Sequence, residues 1–219
     1  MIYEEFYNEQ NFYDDKEEYM RPLDYFSIDP SNSIDMTKYK KIAISGIGSW
    51  GKTTLAKRIS SLARIPYLPE VAREILDFSG NFDWKKIKNA EVIENFEKAI
   101  FHTHLTLVKT NKVFVSDRSI VDPLVYTIVQ SEKLGGKLDN LVKQFTDIIE
   151  KQGKLYDVIL LADANKGYLD FSKLKEIDYK VIDLFKSKDI INLMLKTTGS
   201  LFYISRGMNL IFDEGVVVI

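Results

Sequence analysis

Gly46, Gly51, Lys52 and Thr53 stand at the spacing G-x-x-x-x-G-K-[ST] within the run Lys41-Ile-Ala-Ile-Ser-Gly-Ile-Gly-Ser-Trp-Gly-Lys-Thr-Thr54. These residue types at this spacing are suited to wrapping an anion. The glycines let the backbone turn with its amides pointing inward, where bulkier residues would not allow it. A helix starting near Thr53 adds its N-terminal dipole to the same place. Lys52 supplies a point charge for outer phosphates, and the Thr53 hydroxyl is a magnesium ligand. Gly48, Ser49 and Thr54 complete the loop and its exit, whereas Trp50 is bulky for its place and is expected on the rim. The pattern implies nucleoside-triphosphate binding.

Three further groups of charged residues follow apolar runs. Pro69-Glu70-Val-Ala-Arg73 places a carboxylate where it can face a substrate hydroxyl or phosphate, with Arg73 holding an anion. The same Glu70 also suits the first turn of a helix. Asp117-Arg118-Ser119 comes one residue, Ser116, after the apolar run Val113-Phe-Val115. An acid ending a buried strand beside a phosphate loop holds magnesium directly or through water, and Arg118 can then neutralise a transferring phosphoryl group. Asp163, after Asp157-Val-Ile-Leu-Leu161, is a rival for the metal-side acid. His102 and His104 are two apart on an expected helix, face different sides, and make a poor metal pair. Asp122-Pro123 reads as a helix start, with Asp122 as cap.

The elements that must carry these groups alternate strand and helix from Tyr39 onward, as in a parallel sheet flanked by helices. Strands are expected at 40–45, 67–68, 113–115, 157–161 and 201–204, with the tail 216–219 as a sixth, edge strand. Helices are expected at 52–64, 70–78, 85–110, 122–132 and 138–151, and a largely helical stretch at 170–196. In such a sheet, ligands sit at the carboxyl ends of the strands.

Composition narrows the classes. The chain has 219 residues, a formal net charge of −2 and no cysteine, which excludes disulfides, thiolate catalysis and cysteine zinc sites. No apolar run is long enough to cross a membrane, and the N-terminus lacks a basic and apolar leader, so a cytoplasmic protein is expected. Residues 1–38 carry Glu4, Glu5, Glu9, Asp14, Asp15, Glu17, Glu18, Asp24, Asp29 and Asp35 against Lys16, Arg21 and Lys38, interleaved with tyrosines and phenylalanines. This segment is expected to be a flexible extension that docks a few aromatics or binds a protein partner, with 39–219 as the catalytic body. The mildly basic remainder suits phosphorylated ligands but lacks the concentrated stripe that duplex nucleic acid requires.

Taken together, Gly46–Thr54, Pro69–Arg73 and Ser116-Asp-Arg-Ser-Ile-Val-Asp122 resemble the P-loop nucleoside and nucleotide kinases. The likeness is strongest to small ATPase/kinase domains related to nicotinamide riboside kinase, and more distant to thymidylate and deoxynucleoside kinases. It covers about residues 39–165. It implies a three-layer α/β fold with a mostly parallel five-stranded sheet, and ATP with Mg2+ as phosphoryl donor. It further implies that Glu70 acts toward the acceptor hydroxyl, that Asp117 is on the magnesium side, and that Arg118 meets phosphate or acceptor. An acid near Asp122 often neighbours substrate in this group. Such kinases close over ATP with an arginine-bearing lid after the fourth strand, yet 164–200 holds no arginine, only lysines such as Lys166, Lys173 and Lys175. Arg206, the sole arginine after Arg118, is the substitute from the loop after strand five. The leading expectation is phosphoryl transfer from ATP to a nucleoside, nucleotide or similar metabolite. A nucleotide-dependent ATPase or switch acting through a protein partner, and a nucleic-acid end kinase, are the rivals. Homodimerisation is left open.

Overall fold

A computed structural model describes residues 30–78, 89–164 and 171–219. Its elements in chain order are β1 (Ser33–Asp35), β2 (Lys41–Ser45), α1 (Lys52–Ala63), β3 (Tyr67–Leu68), α2 (Val71–Phe78), α3 (Ala90–Thr110), β4 (Phe114–Asp117), α4 (Val121–Lys133), α5 (Asp139–Gln152), β5 (Tyr156–Ala162), α6 (Glu176–Lys186), α7 (Lys188–Thr197), β6 (Thr198–Ile204), β7 (Asn209–Phe212) and β8 (Gly215–Val218). Every pairing in the main sheet is parallel, and the strand order is β3-β4-β2-β5-β6. Helices cover such a sheet, so its central strands read as continuous apolar runs instead of alternating ones. Ile42, Ala43 and Ile44 of β2, and Val158, Ile159 and Leu160 of β5, are wholly buried.

This strand order creates the site. The chain leaves β2 toward β3 on one flank and leaves β4 toward β5 on the other. Loops that part in opposite directions open a crevice at the carboxyl ends of the two adjacent strands. The register pairs Ile44 with Asp117, so the ends of β2 and β4 are level, and the residues after them lie side by side. The Arg118 amide donates to the Ile44 carbonyl at 3.0 Å and carries this pairing one residue past β4.

Helix α1 packs on β2, β3 and β4 and also touches β8. It begins at Gly51, whose φ of 101° only glycine adopts at little cost, and no side chain caps it. Its first amides are therefore available to an external acceptor. By contrast, Asn89 Oδ1 accepts from Glu91 and Val92 amides and caps α3. The buried Phe101 and Phe145 rings stack with centroids 3.9 Å apart, joining α3 to α5.

The expected five parallel strands are present, with boundaries shifted by a residue or a few. The C-terminal tail differs from expectation. Gly215–Val218 pairs antiparallel with β7 and belongs to a separate three-stranded sheet of order β1-β7-β8, not to the main sheet. Strand β7 is only four residues long and turns back through Asp213-Glu214, so its sequence carries too few alternations to signal a hairpin. In the same sheet, Ser33–Asp35 runs parallel to β7, and Met36 is fully buried. The end of the segment expected as an extension is thus fastened to the body, while residues 1–29 lie outside the described residues. The expected start of α3 at 85–88 lies outside them as well. Among the described residues, no helix is long and apolar enough to cross a membrane.

Candidate functional site

The loop between β2 and α1 has the backbone that its glycines suggest. Gly46 adopts φ 121°, and a Cβ there would lie 3.1 Å from Ala162 Cβ and 3.3 Å from its carbonyl, so a side chain would be strained in backbone and crowded against the end of β5. Ser49 takes φ 60°, a left-handed value uncommon outside glycine. Lys52 is buried, and its Nζ donates to the Ile47 carbonyl across the loop. Burial lowers its pKa to about 7, helped by the nearby Arg118 charge and opposed by Asp122, Asp117 and Glu70.

Trp50 corrects the expectation that it lies on the rim. It is 1% exposed, and its Nε1 donates to the Asp163 carbonyl at 3.0 Å. The indole anchors the phosphate loop to the end of β5. Asp163, the rival metal-side acid, thus meets the loop through its main chain. Gly48 is half-buried, and Ser49, Gly51 and Thr54 are exposed around the loop.

At the end of β4, Asp117 Oδ2 accepts the Thr53 hydroxyl at 2.5 Å and the Tyr67 hydroxyl at 3.4 Å. Burial, then the Asp117 charge, push the Tyr67 phenol well up, so it stays a donor. Asp117 Oδ1 is buried and has no partner among the described residues. A carboxylate with one open oxygen beside a threonine hydroxyl is a hard-oxygen donor pair that fits magnesium. That ion keeps several waters and takes its other ligands from phosphates. No group of three or more His, Asp or Glu side chains that could hold a metal occurs among the described residues.

Arg118 is the hub that joins the loop to Glu70. Its Nη1 donates to the Gly46 carbonyl at 2.5 Å and to Asp122 Oδ1 at 3.2 Å. Its Nε and Nη2 lie 3.0 and 2.9 Å from Glu70 Oε1. Its φ is 111°, a conformation that costs a non-glycine residue of order 1–3 kcal/mol and is held only by its surroundings. Its guanidinium also lies 5.5 Å from the centre of the Tyr126 ring. Glu70 is 18% exposed on its side chain, and its second oxygen pairs with Arg73 at 3.0 Å, a residue 56% exposed.

Lys52, Thr53, Asp117, Arg118, Glu70 and Asp122 are thus brought together by contacts, with Arg73 reaching in from the rim. Arg206 is exposed in the turn after β6, two strands from β2. Of the lysines considered for the lid, Lys166 lies outside the described residues; Lys173 ends a short 3-10 turn and Lys175 precedes α6. The expectation for Asp122 as helix cap is corrected: α4 starts at Val121, Ile120 occupies the cap position, and the Ser119 hydroxyl accepts from the Val121 amide at 3.2 Å. His102 and His104 do face different sides. His102 is exposed, and His104 is buried with its Nε2 3.1 Å from the Tyr156 hydroxyl.

Several residues escaped the sequence reading, and Ser119 was read there without its role. Ser45 and Ser119 contribute buried hydroxyls to Asp122, and Tyr156 accepts the Ile120 amide at 2.8 Å. Tyr126 is four residues after Asp122 on α4, so helical spacing could have placed it on the same face. Tyr156 comes from a different strand, and no spacing points to it.

Solved structures share this fold. The deoxyadenosine kinase from M. mycoides with bound dATP is 14% identical at a TM-score of 0.54, over 75% of this chain and 90% of that one. The same kinase with products dCMP and dCDP gives 16% and 0.51. NadR protein in complex with NAD and AMP-PNP is 18% identical at 0.51, over 77% of this chain and 45% of that one. The chain therefore spans less than half the length of NadR. At such identities the likeness is one of fold, and at that level the resemblance to P-loop nucleoside kinases is borne out. No curated protein sequence matches the chain. A family model described as an AAA domain matches residues 41–184, about two thirds of the chain and all of the strands and loops that build the site. The protein belongs to this AAA domain family.

Proposed function

We propose that the protein transfers the γ-phosphoryl group of ATP to a small acceptor, a nucleoside or nucleotide. The observation that carries the reading is the Arg118 bridge. One guanidinium links the Gly46 carbonyl of the phosphate loop to the partly exposed Glu70 carboxylate, and so fixes a potential base beside the phosphate cradle. Glu70 orients the acceptor hydroxyl and takes its proton as the new oxygen–phosphorus bond forms and the bond to ADP breaks. Lys52, Arg118 and Arg73 balance charge on the phosphoryl oxygens, and the loop amides from Gly46 to Thr54 hold the β- and γ-phosphates. Thr53 and Asp117 would hold magnesium, which when bound neutralises charge shared by the two outer phosphates. Positioning supplies most of the rate.

Two features support the reading less directly. A chain without cysteine suits the cytoplasm. The acidic, aromatic segment 1–38 is proposed to bind a protein partner and not to take part in the chemistry. The arginine-free stretch 164–200 favours a second reading, a nucleotide-dependent ATPase or switch.

The test is transfer from γ-labelled ATP with Mg2+ to a pooled panel of nucleosides, nucleoside monophosphates and nicotinamide riboside, with Lys52→Ala as blank. Label in one acceptor that vanishes in the variant supports the kinase. Release of free phosphate alone supports the ATPase or switch, and no turnover removes both enzymatic readings.

A further inference from the structure

Asp122 is the most heavily engaged carboxylate in the described residues, with five protein donors on its two oxygens. It lies in the first turn of α4 and is 1% exposed. Its Oδ2 accepts from the Ser119 amide at 2.9 Å, the Ser119 hydroxyl at 2.8 Å and the Ser45 hydroxyl. Its Oδ1 accepts from the Gly46 amide at 3.2 Å and from Arg118 Nη1 at 3.2 Å. A carboxylate offers about four lone-pair directions. Five donors leave none for a ligand.

The donors come from both sides of the crevice. Ser45 and Gly46 open the phosphate loop, while Arg118 and Ser119 form the turn after β4. That turn holds Arg118 at φ 111°, and such a conformation persists only when its surroundings over-determine it. Asp122 supplies the link on one side, and the Tyr156 hydroxyl supports the Ile120 amide on the other. Arg118 in turn reaches Glu70.

We infer that Asp122 is a positioning residue that couples the phosphate loop to the Arg118–Glu70 pair and makes no contact with substrate. The inference rests on the proposed phosphoryl transfer for its catalytic consequence, but not for its structural one. Asparagine at this place keeps the size and loses the charge. In either orientation its Nδ2 would face one backbone amide, of Gly46 or of Ser119, donor against donor; an amide cannot reverse, whereas hydroxyls can turn to accept. Arg118 would then drift relative to Gly46, and a misplacement near 1 Å costs on the order of 100-fold in rate.

The experiment compares the full chain with Asp122→Asn by two readouts. The first is solvent exchange of the Arg118 Nε–H resonance in the ligand-free protein, assigned by its loss in Arg118→Lys. The second is the separation of kcat from KM for the acceptor found in the panel above. A positioning role predicts exchange at Nε–H faster by tenfold or more. It also predicts kcat lower by about 10- to 100-fold with acceptor KM within about threefold. Unchanged Nε–H exchange overturns the inference, as does a large rise in acceptor KM at constant kcat. If Asp122→Asn does not fold, Ser45→Ala with Ser119→Ala removes two of the hydroxyl donors and keeps the charge. A smaller acceleration of the same exchange is then expected, and none would sink the idea. Should the wild-type chain transfer phosphate to nothing, the kinase reading fails, and the Nε–H exchange still decides the role of Asp122.

Discussion

Lys52 should make nucleotide binding consume a proton. In the ligand-free site, burial first, and Arg118 second, lower its pKa to about 7. The neutral amine donates to the Ile47 carbonyl without needing a counter-charge. A diphosphate seated in the loop demands the ammonium instead, and its negative charge raises the pKa far above the working range. Lys52 is therefore already charged at low pH and must take up a proton to bind at high pH. Affinity is highest below about pH 7 and falls as the pH rises through that value. The charged fraction drops from about three quarters at about pH 6.5 to about one thirtieth at about pH 8.5, a loss of about 25-fold, or about 1.9 kcal/mol. The assay is calorimetric titration with Mg2+·ADP, which does not react, in two buffers of different ionisation enthalpy at each pH, with phosphate and sulfate excluded. Near pH 8.5 the two buffers should report uptake of about one proton. Lys52→Arg, charged throughout, should abolish the slope. A flat affinity across the window, with no buffer-dependent heat, would refute the reading that burial lowers the Lys52 pKa to about 7.

Further outcomes follow from single residues. Glu70→Gln should lower transfer by about 100-fold or more while ADP affinity stays within a few-fold; an unchanged turnover removes Glu70 from the chemistry. Trp50→Ala should cost about 3–5 kcal/mol in urea unfolding because it empties a core position, and a loss below about 0.5 kcal/mol would mean a surface indole. Tyr156→Phe strands the buried Ile120 amide and deprives His104 of its partner. It should cost about 1–3 kcal/mol by the same measurement, and a neutral substitution would show that another group satisfies the amide.

The sequence determined by itself what depends on residue type at short range. Gly46, Gly51, Lys52 and Thr53 are local chemistry: glycines that alone tolerate the turn, then a charge and a hydroxyl on the helix that follows. The strands of the main sheet were legible because burial on both faces demands unbroken apolar runs such as Ile42–Ile44 and Val158–Leu161. Glu70, Asp117 and Arg118 stood out because each stands within a few residues of the end of an apolar stretch, and strand ends are where a parallel sheet gathers its ligands.

What tertiary structure alone decided is how those groups meet. Trp50 looked like a rim residue because its burial depends on the end of β5, more than a hundred positions away, and its Asp163 carbonyl. The tail strand paired with β7, which pairs on its other side with β1, and left the main sheet because three short strands find their partners through packing on the body, not through a pattern of their own. Asp122 looked like a helix cap because its neighbours in sequence suit one. The Ser45 hydroxyl and the Gly46 amide that it also binds arrive from the adjacent parallel strand. Such side-by-side placement follows from strand order and register, which local residue patterns do not encode.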